Sequence, residues 1–286
     1  MAKQPYHMKF IIAAMIILSP FLTFGQVDSL QQYDSLGKYS YLLLGVLPDP
    51  TQPPIFPPRG NLPIVGNSTG FFVRSDGRLL LVSAFHVFSG CDVYRGVYED
   101  LRAQYLTVWY TDSLGHYKYQ ILDLAPYMSK PCKIFLEIAD VDTMDVSDYF
   151  KDAAKIYSIE NFLPMNSRKN KTVDENKFIS YGFPDDKFSE YIYKNRNLPK
   201  APFGYIGKHA DSSNYDPFYL THNVDSMYTP ITPGLIPGAS GSPIFKVVVG
   251  RKKKEIIQFT GVQSGTSFVY NCSLFVKATE LLKLLN

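Results

Sequence analysis

Cysteine, charge and long apolar runs are all scarce in this chain, and each shortage closes off a class of protein. The 286 residues hold three cysteines, Cys91, Cys132 and Cys272. None forms a C-x-x-C pair and no H-E-x-x-H occurs, so the sequence offers no metal-site motif. In an oxidising compartment three thiols allow one disulfide and one free thiol, with the pairing open. Net charge is only +3, too small to argue for nucleic acid or a membrane surface as partner. The one concentrated basic run, Arg251 to Lys254, lies between two β-like stretches and reads as a solvated hairpin turn. An apolar run over Phe10–Leu22 follows Lys3 and Lys9 but is short for a bilayer span. Small residues at Thr23 and Gly25 suit a signal peptidase. These features predict a signal peptide over residues 1–25 with cleavage before Gln26, an uncleaved anchor being the alternative. After its removal no stable membrane insertion is expected, and the mature chain is expected in the periplasm or outside the cell.

What remains has an ordinary globular composition, 45% hydrophobic and 19% charged. Aromatic residues reach 15%, with 21 Tyr and 20 Phe, which favours strands over helices. Residues 39–47 read as a buried strand, and 48–63 as an extended connection, since its seven prolines cannot donate to a sheet. Residues 26–62 are thus expected to be an N-terminal strand and connection. The β pattern is then continuous. Strands are predicted over 70–74, 79–84, 106–110, 119–124 and 134–141, and again over 178–183, 244–249, 256–263 and 267–274. Ser75-Asp76-Gly77 makes a hairpin turn between the first two. Residues 147–156 could be helical, and 276–285 carry apolar residues at helical spacing. The expected architecture is all-β: one antiparallel unit over about 63–145, a second over about 176–275, and a C-terminal helix.

Two short segments carry chemistry. Gly238-Ala239-Ser240-Gly241-Ser242-Pro243 puts a serine between glycines, which lets a substrate carbonyl approach and leaves the N–H groups of Gly238 and Ser240 for an oxyanion. Leu81 to His86 is an apolar run ending in histidine. His116, His209 and His222 lie in polar or turn-like sequence and read as exposed.

Together these segments resemble the serine and histidine motifs of trypsin-like proteases, Gly-Asp-Ser-Gly-Gly-Pro and Ser-Ala-Ala-His. Ser68 to Val73 is similar to the Gly-Thr-Gly-Phe strand of bacterial members, and Phe178 to Pro184 to their Gly-Tyr/Phe-Pro strand. The likeness runs from about Leu62 onward. It implies a chymotrypsin-like double six-stranded barrel spanning 63–286, without a PDZ module. It also implies a His86–Asp140–Ser240 triad, an oxyanion hole from Gly238 and Ser240, a polypeptide substrate and no cofactor or metal. Asp140 fits the family's Asp-Ile-Thr-Leu-Leu pattern better than Asp142, the second choice. The intervals of 54 and 100 residues between His86, Asp140 and Ser240 compare with about 45 and 93 in the type enzyme. The order histidine, acid, serine excludes α/β-hydrolases. The resemblance further implies that Gln263, Ser264 and Gly265 pair with the substrate backbone, Ser264 lying near the triad acid, and that Gly234 stands where trypsin places its charged selector. An uncharged residue before the scissile bond is the expectation. Ala239 replaces the aspartate that receives a new N-terminus on zymogen cleavage, so Ile64-Val65-Gly66 is read as strand sequence and not as an activation site. The other class is a catalytically inactive or latent protease-like binding protein, which the fold alone would permit.

Overall fold

The computed structural model describes residues 30–47, 64–112, 114–151, 156–164, 177–210, 226–232, 234, 237–249, 255–267 and 271–285. The expected signal peptide, the proline-rich connection at 48–63, the basic run 251–254 and His222 lie outside the described residues. By its contacts the chain divides into Met1–Ser35 and Leu36–Asn286. Of the first unit only 30–35 are described, residues 31–35 being the start of the 3-10 helix Gln31–Tyr39, and every described strand belongs to the second.

The first half holds β1 (Tyr41–Val46), β2 (Ile64–Ser75), β3 (Arg78–Ser83), helix α1 (Phe85–Ser89), the two-residue strands β4 (Cys91–Asp92) and β5 (Val97–Tyr98), β6 (Tyr105–Thr111), β7 (Tyr117–Asp123), helix α2 (Ala125–Met128) and β8 (Asp142–Asp145). Its main sheet runs β7-β6-β1-β2-β3-β8, all antiparallel. The second half holds β9 (Phe178–Gly182), helix α3 (Asp185–Asn195), β10 (Phe203–His209), β11 (Tyr228–Thr232), β12 (Pro243–Val249), β13 (Glu255–Ser267), β14 (Cys272–Lys277) and helix α4 (Ala278–Leu285). There the strands close into a barrel in the order β10-β11-β14-β13-β12-β9. Two six-stranded β units and a terminal helix make the chymotrypsin-like architecture. Among the described residues no helix is long and apolar enough to cross a membrane.

The unbroken apolar run of β1 reflects its place in the middle of the first sheet, between β2 and β6. Tyr41 and Leu43 join the sheet's own core with Phe72, Leu81, Val108 and Leu122. Leu42 and Leu44 face the other way, against Phe183 and against Phe188 and Ile192 of α3. Each fully buried leucine contributes about 1.5–3 kcal/mol. The first β unit therefore begins at Tyr41, not near residue 63: β1 is part of that sheet and not a leader to it. The Ser75–Arg78 hairpin forms as read, with Asp76 and Gly77 both at positive φ, the geometry of a two-residue turn matched to strand twist.

Other segments differ from the sequence reading. Residues 134–141 are not a strand, because tertiary partners and local turns take their backbone groups. Phe135 N–H donates to the Val93 carbonyl (2.8 Å), Glu137 N–H to Ile134 and Val141 N–H to Ala139. The strand starts only at Asp142, opposite Ser83. Of the possible helix at 147–156, residues 147–151 are turn. The last strand begins at Cys272 and the final helix at Ala278, two residues later than its period suggested. Cys91 pairs with Cys132, and Cys272 is buried.

Candidate active site

His86 does not end its strand. It sits in the first turn of α1, a five-residue helix closed by Gly90 at φ 64°, whose N–H returns to the His86 carbonyl (2.9 Å). Burial of Phe85 and Phe88 turns that helix onto the sheet and leaves the imidazole 28% exposed. Its Nδ1 is 2.8 Å from Asp140 Oδ2, and its backbone N–H donates to Asp140 Oδ1 (3.0 Å).

Asp140 is fully buried and therefore depends on partners. Ser264 Oγ donates to Oδ2 at 2.6 Å, and the Asp140 N–H donates to the Tyr228 hydroxyl at 2.9 Å. Burial alone would raise its pKa, but the His86 charge and the hydrogen bonds from His86 and Ser264 outweigh it and hold the carboxyl below the usual range. Burial likewise would lower His86, and the charge and hydrogen bond of Asp140 outweigh it, so the ring titrates above an ordinary imidazole. Asp142 is elsewhere: on β8 it pairs with Lys130 and accepts its neighbour Thr143 N–H.

Ser240 lies in a turn whose shape depends on two glycines. Gly238 has φ 87° and Gly241 φ 84°. A side chain at 238 would come within 2.6 Å of Asn67, Asp185 and the Phe183 carbonyl, and one at 241 would enter the Thr69 backbone. The turn is fixed from both β units. Thr69 N–H donates to the Ser240 carbonyl (2.9 Å), Thr69 Oγ1 donates to the Gly238 carbonyl (3.1 Å), and Gly241 N–H donates to Gln263 (2.8 Å). Ala239 is buried with Phe178, Ile244 and Phe275, an apolar setting that suits its methyl group. The Ser240 hydroxyl donates to the Ser264 carbonyl at 3.2 Å.

Two cavities meet at His86, Ser240, Pro237 and Glu99. One, about 470 Å3, reaches Asn67, Leu101 and Asp185. The other, about 260 Å3, reaches Tyr94, Ser264 and Gly265. Ser264 and Gly265 fall where β13 breaks register with β14, so their backbone is drawn out of that ladder. Tyr94 fills the space above Gly265 where any side chain would stand. Gln263 is buried, its N–H on Ser242 and its carbonyl taken by Gly241, and it lines neither cavity. Neither does Gly234, whose N–H donates to the Asn271 side chain (2.9 Å). His116 lies in the turn after β6, and His209 ends β10 with its ring edge-on to Phe178. Sequence reasoning did not single out Tyr228, Tyr94, Asn67 or Asp185. They reach the site from distant segments and belong to no local motif. Among the described residues no group of histidine, cysteine or carboxylate side chains could hold a metal ion.

No protein-family model and no curated protein matches the chain. Among solved structures it is similar to a thermostable serine protease, AL20, from an extremophilic microorganism, at 10% identity over 88% of this chain and 97% of that one, with a TM-score of 0.44. It is similar to the protease Anisep from Arthrobacter nicotinovorans at 12% identity, covering 87% and 94%, with a TM-score of 0.44. A third similar structure is Deg5, at 12% identity, 89% and 90% coverage and a TM-score of 0.43.

Proposed function

We propose that the chain is a serine endopeptidase, exported to the periplasm or the medium, that cleaves polypeptides through Ser240, His86 and Asp140. The observation that carries this reading is the bond between Asp140 and His86. A buried, ionised carboxylate on Nδ1 fixes the proton there and leaves Nε2 as the ring's acceptor, the tautomer a general base requires. Raising the ring's proton affinity strengthens it as a base.

On substrate binding the Ser240 hydroxyl leaves the Ser264 carbonyl, gives its proton to His86 Nε2 and attacks the scissile carbonyl. The N–H groups of Gly238 and Ser240 hold the oxyanion. Protonated His86 then passes the proton to the leaving amine, and water activated by the same ring releases the acyl group. The 260 Å3 cavity beside Ser264 and Gly265 takes the acyl side of the substrate, and the larger cavity beside Asn67 takes the leaving side.

A second reading, a latent or non-catalytic protease-like binding protein, is favoured by one observation: the Ser240 hydroxyl is bonded to Ser264. Fluorophosphonate labelling of the mature protein separates the two. Labelling of wild type that disappears in Ser240→Ala and in His86→Ala is expected. A folded wild type that does not label overturns the catalytic reading in favour of the second.

A further inference from the structure

Asp140 and His86 belong to the first β unit, but the hydroxyl that fixes the Asp140 backbone comes from the second. Tyr228 stands on β11, opposite Val276 of β14, and is 1% exposed. Its Oη accepts the Asp140 N–H at 2.9 Å and donates to the Ile138 carbonyl at 3.0 Å. One hydroxyl thus closes the three-residue turn Ile138–Asp140 from outside. That turn delivers the carboxylate, and without the hydroxyl the buried Asp140 N–H and the part-buried Ile138 carbonyl would both lose this partner. The Tyr228 ring is held in turn, edge-on to Phe135 with centroids 5.6 Å apart. Phe135 is tied by its N–H to Val93, three residues before the turn begins.

We infer that Tyr228 is a positioning residue for the Asp140 carboxylate, setting across the seam between the β units the angle at which it meets His86 Nδ1. This rests on the reading of His86, Asp140 and Ser240 as the catalytic set. Its geometry is specific to the hydroxyl. Phenylalanine would keep the packing on Phe135 and release both ends of the turn. The carboxylate would keep Ser264, the His86 N–H and the imidazole as partners, but its own main chain would lose the anchor that Tyr228 supplies.

The expected consequence is kinetic more than structural. Releasing a buried N–H and a part-buried carbonyl in a site that demands alignment should lower kcat about ten- to a hundredfold with KM within twofold. The charges around His86 are Asp140, in contact, and Glu99 and Asp92 at longer range with smaller effect. A displaced Asp140 should therefore move the acid limb of kcat/KM to lower pH.

The experiment compares wild type, Tyr228→Phe and a stability-matched core variant in the first sheet, Leu122→Ala. Three quantities are read: thermal stability, the pH profile on a peptide substrate, and the imidazole Nδ1 proton resonance with its titration in 15N-histidine-labelled protein. Support is a Tyr228→Phe protein whose acid limb and His86 resonance both shift, while Leu122→Ala loses stability with neither shifted. Equal loss of stability in both variants, with an unmoved acid limb and resonance, overturns the inference and leaves Tyr228 a packing residue. The resonance needs no turnover. If wild type fails to label with fluorophosphonate but Tyr228→Phe still shifts the His86 signal, the catalytic reading fails and the positioning role stands.

Discussion

A carboxylate cut off from water must have its charge matched, and Asp140 receives a hydroxyl, a backbone N–H and an imidazole N–H. Asparagine keeps the shape but presents an amide where the imidazole proton must go, which favours the wrong histidine tautomer. Asp140→Asn should therefore lower kcat by about four orders of magnitude, as the equivalent change does in the type enzyme, while the fold persists. Asp142→Asn removes only the pairing with Lys130 and should leave kcat within twofold, which a side-by-side assay of the two variants checks. The His86–Asp140 pair also sets a pH window. His86 is raised on folding, so its contribution to stability is complete below the unfolded imidazole pKa, about 6.5, and is lost as pH rises through the folded value. Asp140 is lowered, so its contribution is complete above the unfolded carboxyl pKa, about 3.9, and is lost as pH falls through the folded value. Activity needs neutral His86 and should rise over the same pH range, through the raised His86 pKa, in which that residue's stabilisation declines. Melting curves of wild type against Asp140→Asn across pH, set beside the kcat/KM profile, should show these opposed trends.

Around that pair, the elements differ in how far their sequence betrays them. β1, β2, β3 and β6 are apolar or alternating runs bounded by turn residues, and their pairing follows from burial alone. β10 and β11 are hidden in the sequence for equally physical reasons. The first, Phe203–His209, carries two glycines and no fully buried side chain, and the second is interrupted by Pro230. Each is a strand because the barrel closes through it. Residues 134–141 mislead in the opposite direction, apolar enough for a strand but bound by Val93 and Tyr228 instead. What the sequence offers about the site is local in the same way. The glycine-framed serine and the strand-to-histidine run sit in short motifs, whereas the Tyr228–Asp140 contact joins residues 88 apart. The Cys91–Cys132 bridge is not legible in the sequence because either cysteine could also pair with Cys272. It joins β4, just past α1, to the segment that leads into Asp140, with a sequence separation of 41. Closing a loop of that length stabilises by about 4 kcal/mol in the chain-entropy account. Replacing both cysteines by serine should lower Tm by about 8–16 °C, and reductant should lower wild-type Tm similarly while leaving the variant unchanged.

At the scale of the whole molecule, the site is a seam, and Thr69 does most to close it. It lies on β2 of the first unit, yet its N–H donates to Ser240 and its Oγ1 donates to Gly238 while accepting the Phe183 N–H (3.0 Å). Its own carbonyl accepts from Ser83 Oγ, in the strand that precedes α1 (2.8 Å). A single residue thus holds the serine turn of one β unit against the strand leading to the histidine of the other. Thr69→Val keeps the shape and strands the Gly238 carbonyl and Phe183 N–H, at about 1–3 kcal/mol each. Thr69→Ser retains the hydroxyl and should cost little. If the seam couples the two units, wild type and Thr69→Ser should unfold in urea in one transition, with similar fluorophosphonate labelling rates. Thr69→Val should label more slowly at the same fraction folded, because the loosened turn no longer presents Ser240 to His86, and its transition should broaden or split. Equal labelling rates for valine and serine variants, at matched fraction folded, would mean that the serine turn is held by its own barrel alone and that the two units meet at the site without depending on each other.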